Sequence, residues 1–150
     1  MDSKVELDIA RAIGAASRGM TAAMMARVAA YGYDDMTPAF ASLMPLLETA
    51  GARPSALAER AGITKQAMSQ LTRELEERGY VEQVADPTDT RAKLVRLTKR
   101  GVALRNACAK VRVELEAIAA GTLGRARLTQ LRRDLLKIGA ALSEAVPSRK

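Results

Sequence analysis

The sequence contains no histidine and no tryptophan, a single cysteine, and only three tyrosines and one phenylalanine in 150 residues. Without histidine the commonest general base and the commonest metal ligand are both missing, which argues against an enzyme, a metal centre or any cofactor. One cysteine cannot close an internal disulfide, and the first residues hold no apolar run long enough for a signal peptide or a membrane span. The expectation is therefore a protein of the reducing cytoplasm with no membrane partner. With aromatics at 3% but hydrophobic residues at 48%, the core must be built from Ala, Leu, Val, Ile and Met, a palette that suits helices. Acidic residues are also short: 17 Asp and Glu face 24 Lys and Arg, for a net charge of +7. The resulting pI near 10.0 favours an anionic partner such as nucleic acid or a membrane surface, and charge alone does not choose between them.

What is present is helical rhythm with one interruption. From Lys4 to about Tyr31, the residues Val5, Ile9, Ile13, Ala16, Met20 and Met24 recur at the spacing of one long amphipathic helix. Thr37 followed by Pro38 is an N-cap and first-turn pair, starting a second helix to about Thr49 in which Pro45 is expected to make a kink. Pro54 and Ser55 open a short helix, Ala56 to Ala61, that Gly62 stops, and Thr64 caps another that runs to about Arg78. Residues 80–84 and 93–97 alternate and are rich in β-branched side chains, so they are expected to pair across a polar turn from Ala85 to Ala92. Two further helices, from Thr98 and from about Arg125, carry Leu104, Cys108, Val111, Leu115, Ile118 and then Leu128, Leu131, Leu135, Ile138, Leu142 in steps of three and four. Both are patterned to pack against other helices. The expected fold is mostly α with a small β-hairpin, residues 1–150 forming a single domain without repeats or a dividing linker.

Residues 54–71 meet the steric demands of a helix-turn-helix. Gly62 stands where the backbone turns left-handed, and Ala58, four residues before it, is small enough for the helices to cross closely. Leu57, Ala61, Ile63, Met68 and Leu71 supply the inner faces, leaving Lys65, Gln66, Ser69, Gln70 and Arg73 on a polar, basic outer face. Lysine and arginine match guanine, glutamine matches adenine, and serine serves several partners, while neighbours bind phosphate; Ser55 and Thr64 complete the expected DNA-binding set on these helices. A solvated face on an ordinary helical hairpin is the plain alternative. The adjoining ribbon, with Asp89, Arg91 and Lys93 near its tip, makes that alternative require two coincidences, because a basic wing can enter the minor groove. Cys108 lies in an apolar stripe and reads as a small core residue rather than a redox sensor. Met20, Met24 and Met25 read as core filling before pocket lining, and the Glu74, Glu76, Glu77 cluster as a solvated helix end rather than a metal or acid–base site.

The runs Ser55–Ile63, Lys65–Ser69, Leu75–Val81, Asp86–Val95 and Leu97–Gly101 closely resemble the MarR family of regulators, most strongly between Met36 and Gly101. That resemblance implies a winged helix-turn-helix lobe at 36–101 flanked by dimerisation helices at 4–31 and 102–145. It implies a homodimer on double-stranded DNA with a pseudo-palindromic operator, usually a repressor and often released by a small lipophilic or phenolic effector. In the family's wing the Asp-x-Arg pair joins carboxylate to guanidinium, roles that fall to Asp89 and Arg91, with Thr90 where a second basic residue is common. The family's second helix is normally uninterrupted, so Pro45 is a departure. A constitutive or architectural DNA-binding protein is the second reading, and a small enzyme or ligand-storage protein the third; the residue inventory speaks against the last.

Overall fold

The computed structural model describes residues 8–145. In chain order these form α1 (Ile9–Ala30), α2 (Pro38–Leu43), a 3-10 turn (Met44–Leu46), α3 (Pro54–Ala61), α4 (Lys65–Glu77), β1 (Val81–Asp86), β2 (Asp89–Leu97), α5 (Lys99–Leu123) and α6 (Arg125–Glu144). Six helices and one antiparallel hairpin are the mostly α, winged arrangement expected. The chain divides into two compact units, one ending at Arg112 and one starting at Val113, so the division falls within α5.

α1 begins at Ile9 because Asp8, itself extended, accepts a hydrogen bond from the Arg11 amide at 2.9 Å and so caps the first turn. Lys4 and Val5, which the expected helix included, lie outside the described residues. α2 starts as expected, with the Thr37 hydroxyl accepting from the Phe40 amide at 3.3 Å and Pro38 at the first position. Its end differs. Pro45 does not kink a longer helix; the α-helix stops at Leu43 and the chain tightens into the 3-10 turn that contains the proline. Proline has no N–H to donate to the Ala41 carbonyl, and its ring crowds that turn, so the regular ladder cannot continue past it.

The core of the first unit is aliphatic, as the scarcity of aromatics required. Val28, Phe40, Leu43, Met44, Leu47, Leu57, Met68, Leu75, Val81, Val95, Leu104 and Val111 are all buried, with Tyr80 among them. In the second unit no α6 residue is buried, and Leu136 and Leu142 are 70% and 62% exposed. Gly124, at a φ of 81°, separates α5 from α6, a conformation that costs little only without a Cβ.

The hairpin is longer and tighter at its tip than expected. Val81 pairs with Leu97 and Ala85 with Lys93, but Asp86 pairs with Asp89, so the tip is Pro87-Thr88 alone. Thr90, Arg91 and Ala92 are unmatched on β1 and form a bulge in β2. The cause is the Asp86 carboxylate, which accepts from the Thr88 amide at 2.8 Å and from its hydroxyl at 2.7 Å, closing the turn immediately after β1.

Candidate nucleic-acid interface

α3 and α4 meet at Gly62, whose φ of 67° is left-handed and whose surroundings leave open space for a Cβ. The glycine is thus demanded by backbone conformation, not by crowding. Its amide and that of Ile63 close the α3 terminus onto the Glu59 and Ala58 carbonyls, both at 3.1 Å. Two residues on, the Thr64 hydroxyl accepts from the Ala67 amide at 3.1 Å and starts α4. Leu57, Ala58 and Met68 are buried at the crossing, while Ala61, Ile63 and Leu71 are half-buried. Thr72 and Leu75, which the sequence reading missed, are buried with them. They sit four and seven residues beyond Met68, a spacing that could have marked them, and Thr72 satisfies its hydroxyl on the Met68 carbonyl at 2.9 Å.

The opposite side of this helix pair carries Ser55, Thr64, Lys65, Gln66, Ser69, Gln70 and Arg73, all exposed. The Gln70 amide donates to Glu74 at 3.2 Å and Arg73 Nε to the Ser69 carbonyl at 3.4 Å, so these two are lightly held along the helix. The acidic residues near the end of α4 are used locally: Glu76 accepts from the Gln83 side chain at 2.8 Å and from its backbone amide at 3.1 Å, tying α4 to β1. No group of three or more potential metal ligands occurs among the described residues.

On the wing, Arg91 and Lys93 are exposed and Asp89 is half-buried. The expected pairing of Asp89 with the Arg91 guanidinium is not what the structure shows. Asp89 Oδ1 accepts instead from the Arg91 backbone amide at 3.1 Å, and Oδ2 faces Arg53 at 3.7 Å. The bulge turns the Arg91 backbone towards Asp89, and the side chain finds no carboxylate among the described residues. Two residues outside the expected DNA-binding set, Arg53 and Asp86, hold this end of the wing. Arg53, the N-cap of α3, places Nε and Nη2 each 2.7 Å from Asp86 Oδ2. Asp86 is only 5% exposed, and its pKa is lowered to about 2 by the Thr88 hydroxyl and amide first and the Arg53 guanidinium after them. An acidic residue before Pro-Thr was a turn signal, but nothing local in sequence joins positions 53 and 86.

The base of the wing is braced as firmly. Ala52 and Val95 exchange backbone hydrogen bonds at 3.0 and 2.9 Å, adding a one-residue bridge to β2. The Tyr80 hydroxyl donates to Asp35 at 2.5 Å while Arg100 lies 4.8 Å from the centre of its ring. Burial, then the bond to Asp35, pushes the Tyr80 phenol above its ordinary pKa. Cys108 is buried, as expected of a core residue, and burial pushes its thiol up as well. Met20, Met24 and Met25 line one side of a cavity of about 220 Å³ whose other side is Pro38, Ala41 and Ser42.

A sequence model of the MarR family matches residues 35–92. Solved structures share the fold over most of their length. The transcriptional repressor CouR, bound to a 23-mer DNA duplex, is 25% identical with a TM-score of 0.74, over 87% of this chain and 92% of its own. MepR of S. aureus in complex with DNA is 21% identical with a TM-score of 0.77, over 91% and 99%. The PcaV regulator of Streptomyces coelicolor, in complex with its natural ligand, is 16% identical with a TM-score of 0.75, over 95% and 99%. No curated protein matches the chain by sequence at a significant level.

Proposed function

Starting from a chain whose residues 35–92 match a sequence model of the MarR family, we propose that it is a MarR-family protein, a homodimeric, sequence-specific DNA-binding repressor released by a small lipophilic or phenolic effector. The observation that carries the DNA-binding part is the polar outer side of α3 and α4, exposed from Ser55 to Arg73, on a helix pair bonded at both ends to a wing that presents Arg91 and Lys93. In this reading Lys65, Gln66, Ser69, Gln70 and Arg73 of α4 read base edges in the major groove, Ser55 and Thr64 bind phosphate, and Arg91 and Lys93 follow the minor groove. Asp89 orders the wing through the Arg91 amide. The net charge of +7 supplies attraction to any duplex, so specificity must come from these few side chains.

Among the described residues, two helices leave large apolar side chains exposed: Ile9, Ile13 and Met20 on α1, and Leu131, Leu135, Leu136 and Leu142 on α6. Such faces support a second copy as the partner, which sets two α4 helices into successive major grooves, roughly 34 Å apart, of a pseudo-palindromic site. The effector is supported by the cavity between Met24 and Pro38 and by the ligand-bound relative. It acts only through a difference in affinity for the DNA-binding and the released arrangement.

The test is binding to the best duplex selected from a random-sequence library. Arg73→Ala is expected to flatten the preference for that duplex over variants by about tenfold, whereas Arg91→Ala weakens all sequences and lowers the salt slope by about one. Wild-type affinity in both variants overturns the site assignment. Titrating the complex with a panel of phenolic and lipophilic compounds tests release; no response across the panel replaces the switch with a constitutive binder.

A further inference from the structure

Arg53, the N-cap of α3, is engaged within the chain by two carboxylates of the wing. Its guanidinium is 45% exposed, yet both of the nitrogens that meet Asp86 do so at 2.7 Å, and one also lies 3.7 Å from Asp89. Asp86 ends β1 and Asp89 begins β2, so a single cation spans the two sides of the wing tip. The next residue back, Ala52, is bonded by backbone to Val95 in the middle of β2. Residues 52 and 53 therefore grip the hairpin at its middle and its end, from the start of the helix-turn-helix. Between these grips lies the bulge of Thr90, Arg91 and Ala92, which the ladder does not hold. Among the described residues, the bulge is tethered by the Arg91 amide, which donates to Asp89 Oδ1, while the other oxygen of that carboxylate faces Arg53.

We infer that Arg53 is a positioning residue: it fixes the wing tip against α3 and, through Asp89, aims the Arg91 side chain at the DNA. This rests on the DNA-binding reading above and deepens it. Without Arg53, Asp86 and Asp89 are two directly paired carboxylates with no cation between them, and their repulsion opens the tip. The effect of Arg53 on DNA must then pass through Arg91. An arginine that met phosphate directly has no such dependence.

The experiment is a double-mutant cycle of Arg53→Gln and Arg91→Ala, read as affinity for the duplex selected above, with amide hydrogen exchange on the free protein beside it. Arg53→Gln is expected to weaken binding about tenfold in the wild-type background and by less than about twofold once Arg91 is alanine. In the free protein, the Arg91 amide exchanges about tenfold faster in Arg53→Gln while amides of α4 keep their rates. Losses that multiply in the double variant overturn the inference, since Arg53 then acts on DNA by itself or through global stability. An unchanged Arg91 exchange rate overturns it also. If the wild type selects no duplex but the exchange result holds, the DNA-binding reading fails while the clamp on the wing stands.

Discussion

At the scale of residues, the tightest constraint lies at Gly101, well outside the exposed faces. It is buried against Tyr80, and a Cβ there would overlap the Tyr80 backbone carbonyl and press on Leu97. The overlap is with backbone, so the start of α5 and the strand β1 must move apart. Gly101→Ala is expected to lower stability by ~1–3 kcal/mol in urea unfolding, whereas Gly121→Ala, with open space around it, should leave the midpoint unchanged or raise it. Asp86 is the second sensitive residue. Its pKa falls from 3.8 to about 2 on folding, with the Thr88 hydroxyl the largest cause. A carboxylate lowered in this way contributes stability above pH 3.8 that is lost as the pH falls through about 2. The wild type should therefore melt above Asp86→Asn near neutral pH, and the gap should close on acidification across that window. A gap that is constant with pH sinks the assignment.

At the scale of elements, α4 depends on its cap more than on its own propensity. It is a 13-residue helix whose Thr64 hydroxyl satisfies the Ala67 amide. Removing that acceptor in Thr64→Ala is expected to cost about 1 kcal/mol in unfolding free energy, with Thr64→Ser restoring most of it. α2 teaches the opposite lesson about proline. Apolar spacing continued past Pro45 to Leu47, and Leu43, Met44 and Leu47 are all buried. The backbone carrying these side chains is nonetheless a short helix followed by a 3-10 turn. Periodicity reports which side chains face inward; a missing N–H decides what backbone delivers them.

At the scale of the whole molecule, the second unit poses the open requirement. α6 has no buried residue, although Leu131, Leu135, Leu136 and Leu142 lie on it. A single chain that leaves these in water is a poor candidate for a stable monomer, so the protein is expected to sediment at about twice its 16.1 kDa chain mass. The pair Leu136→Glu and Leu142→Glu should shift it towards the single-chain mass and weaken duplex binding, because two half-sites must be held together. A wild type that sediments as a monomer at micromolar concentration removes the homodimer from the proposed function.

The helices, the Gly62 turn, the Thr37 and Thr64 caps and the exposed polar side of α4 were legible in the chain alone, because each follows from spacing within a turn or two of helix. The wing was legible as a hairpin, but its two-residue tip was not. The tip closes on local bonds from Thr88 to Asp86, but the cation that braces it, Arg53, stands thirty-three positions earlier in the chain. The same holds for the Tyr80 bond to Asp35 and for the close approach of Gly101 to Tyr80, neither of which any local pattern encodes. Periodicity and capping act over three to seven residues, whereas an ion pair or a steric contact between distant segments exists only once packing has brought them together. Tertiary structure therefore decided how Arg53 braces the wing tip against α3.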